Sequence, residues 1–197
     1  MWFAHHPIYH AEETRSIYPD AIEGSGIAQN YEALVTKFLD DKEIHWTHFL
    51  SIEDDMLFSP DCLHLLARHR LPIVAANYST NKGSRQRFTA ATAEGTILTR
   101  PESTGIEEAV VVPQGFTLVA REVYEKIPQP WFMQGYSKET KRYVFQDYYF
   151  SKMAREAGFK LYVDHDCSKK VQHIGPHCYT WEDALRDELK GKADGTT

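Results

Sequence analysis

The stretch Phe49-Leu50-Ser51-Ile52-Glu53-Asp54-Asp55-Met56 governs the reading of this chain. Apolar residues end abruptly in three consecutive carboxylates. A short apolar run of this kind is a strand with a buried face. In an open α/β sheet, ligands bind beyond the carboxyl ends of strands. Three adjacent acids repel one another and call for a counter-charge. A divalent cation supplies it, and hard oxygen ligands suit Mg²⁺ or Mn²⁺. The acids alone also describe a solvated turn or a helix cap.

Upstream, Ile27, Tyr31, Leu34, Val35 and Phe38 recur at three- and four-residue steps, so 26–41 is an amphipathic helix with Ser25 as its cap. Downstream, Pro60 opens a helix to about residue 69, and 71–77 is a second buried strand. Residues 87–99 alternate weakly, as a hairpin would, and 109–112 form a further strand. A short helix covers 121–127, and a longer one covers 145–157 with Gly158 as its stop. Strands at 159–163 and 170–174 and a helix at 181–189 complete the series. Residues 81–87 and 129–141 are loops, rich in Gly, Ser, Lys, Pro and Gln. Alternating strands and helices in the first half predict an α/β fold, with a single, mostly parallel mixed sheet flanked by helices. Residues 1–190 form one domain and 191–197 a flexible tail.

Composition narrows the function. With 22 Lys plus Arg against 28 Asp plus Glu, the net charge is -6, and no basic block favours nucleic acid. No apolar run nears the roughly 20 residues of a membrane span, and the first residues lack a signal-peptide pattern. Cys62, Cys167 and Cys178 are odd in number and far apart, which fits a reducing cytoplasm.

Two further signals bear on chemistry. Asp147, in Phe145-Gln146-Asp147-Tyr148, lies at the front of a helix, where the macrodipole favours negative charge. A carboxylate held there can act as general base toward a hydroxyl, or be only a first-turn acid. His173, in Val171-Gln172-His173-Ile174-Gly175, ends a short apolar alternation. It is either a ligand for a borderline ion such as Mn²⁺ or a buried, hydrogen-bonded histidine.

The order of these elements resembles the GT-A glycosyltransferases, of the broad family-two-like group of nucleotide-sugar transferases. The acidic strand end is similar to their Asp-x-Asp motif, and Leu71 to Tyr78 to the strand that follows their Pro-led helix. Gln114-Gly115-Phe116-Thr117-Leu118-Val119 resembles their small-residue acceptor loop. Gln146-Asp147 through Ala157-Gly158 resembles their Glu-Asp motif and its helix, and His173-Ile174-Gly175 their closing step. The resemblance spans about residues 26–179.

It implies a GT-A fold and transfer of a sugar from a UDP- or GDP-sugar donor to a glycan or other hydroxyl acceptor, with Mn²⁺ or Mg²⁺ as cofactor. Asp55 and His173 would hold the metal. Glu53 would bind it through water or touch the donor ribose, and Asp54 fills the variable position beside the donor. Asp147 would be the base of an inverting reaction, since Gln146 replaces the usual Glu and an amide takes no proton. Gly115, Phe116 and Trp131 would meet the acceptor. Trp131, Phe132 and Tyr136 either stack on sugar faces or form a lid packed on the core. Lys82, Arg85 and Arg87 either reach diphosphate oxygens or form a solvated basic loop. The stretch from Met1 to Tyr9 is short for the family's N-terminal nucleotide-binding strand. A metal-dependent phosphoester or nucleotide-sugar hydrolase and a non-catalytic carbohydrate-binding protein are the alternatives.

Overall fold

The computed structural model describes residues 20–22, 26–80, 86–138, 141–175 and 178–193. The expected first strand, the Ser25 cap, Lys82 and Arg85 lie outside them.

Among the described residues the first element is α1 (Ile27–Asp40), whose apolar face buries Tyr31 and Val35. Its cap position is Gly26, with no side-chain cap bond. Next come β1 (His48–Ile52), β2 (Met56–Phe58), α2 (Cys62–Ala67) and β3 (Ile73–Ala75). Then follow β4 (Ile106–Ala109), β5 (Phe116–Ala120) and α3 (Arg121–Lys126). The hairpin strands β6 (Gly135–Ser137) and β7 (Arg142–Val144) lead into α4 (Gln146–Glu156), which Gly158 ends at φ 91°. The last described elements are β8 (Leu161–Asp164), α5 (His165–Ser168), β9 (Val171–Ile174), β10 (Cys178–Tyr179) and α6 (Trp181–Ala193).

The fold is mixed α/β. A five-stranded sheet has the order β1-β5-β3-β8-β4, with helices on both faces. The two core clusters follow the strands' two-residue period. Ile73 and Ala75 face Tyr31, Val123, Tyr124 and Phe150 of α1, α3 and α4. Val74 and Ala76 face Cys62, Leu66 and Cys167 of α2 and α5.

Several expectations need correction. Among the described residues the sheet is mixed but not mostly parallel: only β3–β8 is a parallel pair, and the other three pairings are antiparallel. The strands β1, β3 and β8 do run in one direction. However, β5 inserts against that direction between β1 and β3, and β4 closes the edge beside β8 in the same reversed sense. Nor is there a single sheet, since β10-β9-β2 and β6-β7 form two smaller ones. The segment 116–119, expected as part of a loop, belongs to the interior strand β5, between β1 and β3 and buried at every position. Its Phe-Thr-Leu-Val run is strand-forming sequence. Within 87–99 the chain turns back on itself through the antiparallel bridge of Ala91 with Thr96, a hairpin-like turn without full strands. The loop at 129–141 contains β6. The last helix reaches Ala193, past the boundary expected for a tail. Thr180 and Asp183 start that helix with reciprocal side-chain-to-backbone bonds, a capping box.

Among the described residues, no helix is long and apolar enough to cross a membrane.

Candidate metal site

Strand β1 ends at Ile52, opposite Phe116 of β5. The ladder continues one residue further, where the Glu53 N–H donates to the Gly115 carbonyl at 3.0 Å. The chain then turns tightly, with the Met56 N–H donating to the Glu53 carbonyl at 3.2 Å. It re-emerges as β2 in the second sheet, where Met56 pairs with His173 of β9. The Ile174 N–H donates to the Asp55 carbonyl at 2.7 Å. The acidic turn therefore sits where two sheets meet, and the pairing of β2 with β9 brings His173 beside it.

Glu53, Asp55 and His173 each offer a ligand atom, and those atoms lie within 4.8 Å of one another. His173 Nε2 is 2.8 Å from Asp55 Oδ2, and Nδ1 is 3.0 Å from the Ser79 carbonyl oxygen. A carbonyl only accepts, so Nδ1 carries a proton and donates it. That bond fixes the ring and turns Nε2, the other nitrogen, toward the carboxylates, as in histidines that ligate metals. The hydrogen bond to Asp55, opposed by partial burial, holds the imidazole above its usual pKa. Burial, and then the Asp55 charge, pushes the Glu53 carboxyl up. Two acids and one imidazole thus share a site short of positive charge. Asp55 Oδ1 is buried without a hydrogen-bond partner among the described residues. Two carboxylates and an imidazole are a donor set that can hold a divalent metal ion. Asp54, between the two acids, is exposed.

Two tyrosines frame Glu53. The Tyr31 hydroxyl, from α1, lies 3.2 Å from Glu53 Oε1 and 3.0 Å from the Gln114 carbonyl. The Tyr78 hydroxyl accepts the Gly115 N–H at 3.0 Å, and its ring meets His173 edge to face at 5.6 Å. Burial, then the Glu53 charge, raises both phenols well above their usual pKa, so both stay neutral. The charge of Asp147 adds a smaller upward push to both phenols. Gly115 is wedged among these groups. A Cβ there would meet the Tyr78 hydroxyl and come within 2.6 Å of Glu53 Oε2. Only glycine leaves both in place.

Glu53, Asp55, His173 and Gly115 are therefore brought together, and Asp147 lies in the first turn of α4. Neighbouring Gln146 is buried and accepts from the Gln134 side-chain amide, so it ties the hairpin to the helix start.

Two acceptor candidates do not reach the site's surface. Phe116 is fully buried and packs on Phe58, with ring centroids 5.0 Å apart. Trp131 is buried too, and its indole N–H donates to the Tyr124 and Ile127 carbonyls at 3.0 and 2.9 Å. Phe132 packs between Tyr31 and Phe150. For Trp131 and Phe132 the core reading is the correct one. Of that aromatic trio, Tyr136 alone is exposed.

Tyr31, Tyr78 and the Ser79 carbonyl were not singled out in the sequence. Tyr31 counts there as one apolar position of a helix stripe. Its signal is the hydroxyl, which needs a partner once buried. A backbone carbonyl such as that of Ser79 leaves no signal in residue type.

No protein-family model and no curated protein matches the chain. Among solved structures, the chain is similar to one entitled "Crystal Structure of A197 from STIV". The two share 17% identity and a TM-score of 0.58 over 81% of this chain and 74% of that one. At that identity the likeness shows a shared mixed α/β fold.

Proposed function

We propose that this protein is a metal-dependent glycosyltransferase of GT-A type, moving a sugar from a nucleoside-diphosphate donor to an acceptor hydroxyl. The observation that carries the reading is the convergence of Glu53, Asp55 and His173 at the junction of two sheets. A divalent cation held there, by Asp55 and His173 with Glu53 beside it, would neutralise charge developing on the leaving diphosphate.

The chain's own residues have separable tasks. The Ser79 carbonyl keeps Nε2 of His173 turned toward Asp55. Tyr31 and Gly115 fix the two ends of Glu53, side chain and backbone. Asp147 takes the proton from the acceptor hydroxyl as that oxygen bonds to the anomeric carbon. The bond from that carbon to the diphosphate oxygen breaks, and its electron pair leaves with the diphosphate. Attack from the face opposite the leaving group inverts the anomeric centre. The free buried thiols Cys62 and Cys167 suit a reducing compartment such as the cytoplasm.

The deciding experiment is thermal unfolding with Mn²⁺, with UDP- or GDP-sugars, and with both. Stabilisation by the pair beyond the sum of the separate shifts is expected. No shift with any common nucleotide-sugar would overturn the proposal. Release of free sugar at a rate indifferent to added acceptors would favour hydrolysis.

A further inference from the structure

The hairpin β6–β7 presents aromatic rings to solvent instead of to the core. Tyr136 and Tyr143 are partners in register, and their rings meet edge to face with centroids 5.5 Å apart. Phe145 follows two residues after Tyr143 in extended backbone (φ -98°, ψ 162°), so it lies on the same face. Tyr143 is 73% exposed, Tyr136 55% and Phe145 54%. On the opposite face, Ser137 and Val144 are half-buried. Burying a large apolar side chain stabilises a fold by roughly 1.5–3 kcal/mol, and this hairpin forgoes that gain three times over. Exposed rings gathered on one face of a hairpin are a candidate binding surface.

The row has direction. At one end, Phe145 caps α4, whose second residue is Asp147, and Tyr148 is exposed one turn on. At the other end lies the hairpin tip. Residues 138–142 carry Lys138, Lys141 and Arg142 against the single acid Glu139, in a chain whose net charge is -6. From 141 to 145 an extended chain covers about 13 Å, longer than one sugar ring.

We infer that this face is an acceptor platform for an acidic oligosaccharide: its sugars stack along Phe145, Tyr143 and Tyr136, its anionic groups meet the lysines at the tip, and its reacting end lies at Asp147. The inference rests on the transferase reading and names its acceptor class. Flat rings with hydroxyl edges suit the apolar faces and polar rims of sugars. The row carries no aliphatic wedge of the kind that enters a bilayer, and it runs toward the site, so a glycan fits better than an anionic membrane.

The test uses the full chain without metal or nucleotide. Calorimetric titration would compare acidic hexasaccharides (oligogalacturonate, hyaluronan) with neutral maltohexaose. Co-sedimentation would use vesicles containing anionic phospholipid. At least one acidic hexasaccharide is expected to bind more tightly than maltohexaose. Its affinity should fall tenfold or more in Tyr143→Ala, stay within twofold in Tyr143→Phe, and drop in Lys138→Gln/Lys141→Gln. At such exposed positions an unchanged melting temperature shows that the fold is kept. No saccharide binding, binding indifferent to Tyr143→Ala, or binding to vesicles in place of saccharides overturns the platform. Asp55→Asn separates the two proposals: it should abolish stabilisation by Mn²⁺ with nucleotide-sugar and leave saccharide affinity unchanged.

Discussion

His173 Nε2 and Asp55 Oδ2 lie 2.8 Å apart although 118 residues separate them in the chain. The contact exists because β2 and β9 pair, and it makes the site sensitive to protons. In the metal-free protein the hydrogen bond to Asp55 raises the imidazole's pKa. A group raised in the folded state adds stability that is complete below its unfolded pKa, about 6.5, and is lost as pH climbs through the folded value. Glu53, raised by burial and then by Asp55, acts with the same sign, losing stability as pH climbs above its unfolded pKa. A metal must displace such protons, so its affinity rises with pH. Between about pH 5.5 and about 8.5, the metal-free melting temperature should fall while the shift produced by Mn²⁺ grows. Parallel trends in the two quantities would remove the proton competition that the cluster implies.

Gly115 should tolerate no side chain. A Cβ there would press on the Tyr78 hydroxyl and approach Glu53 Oε2 to 2.6 Å. The tyrosine is buried and rigid, whereas the carboxylate can swing aside. Gly115→Ala is expected to cost about 1–3 kcal/mol of stability and most of the Mn²⁺-dependent shift. Adding Tyr78→Phe removes the nearer obstruction. The double variant should therefore be more stable than the sum of its single losses, by at least about 0.5 kcal/mol in a urea-unfolding cycle. Additive losses would show that the two positions do not press on each other.

Asp147 and Gln146 are neighbours with different duties. Asp147→Asn should lower transfer by about 10²–10⁴-fold while leaving the Mn²⁺ and nucleotide-sugar shift intact, because the proposed base does not hold the donor. Gln146→Glu should replace the amide-to-amide bond from Gln134 with a charge-assisted one, and should not rescue Asp147→Asn. Rescue by that change would move the proton acceptor to position 146.

The parts of the fold that were legible in the sequence are those written by period and punctuation. The stripe from Ile27 to Phe38 yields α1, and Gly158 ends α4 with a positive φ. The acidic strand end and His173 are legible as residue types, but their meeting depends on strand pairing, which no local pattern encodes. The reversed insertion of β5 was lost for the same reason, since direction within a sheet is a tertiary property. Trp131 and Tyr143 show the limit from the other side. Both are aromatics beside an irregular segment, yet one donates its N–H into the core and the other stands in solvent. Residue type alone does not distinguish them, because burial is decided by which partner the fold supplies.

Gln114 offers a test of how finely the site is tuned. Its backbone carbonyl accepts from Tyr31 and Ser51, but its side-chain Oε1 and Nε2 are buried with no partner among the described residues. An unsatisfied buried amide costs about 1–3 kcal/mol. Met has nearly the same shape and no such demand, and the substitution leaves both carbonyl contacts intact. Gln114→Met is therefore expected to raise the urea midpoint with an unchanged denaturant slope, by about 1 kcal/mol or more. A loss of stability would instead mean that the amide is paired in solution, by water or by a segment beyond the described residues. The frame around Glu53 would then need that pairing as well as Tyr31 and Gly115.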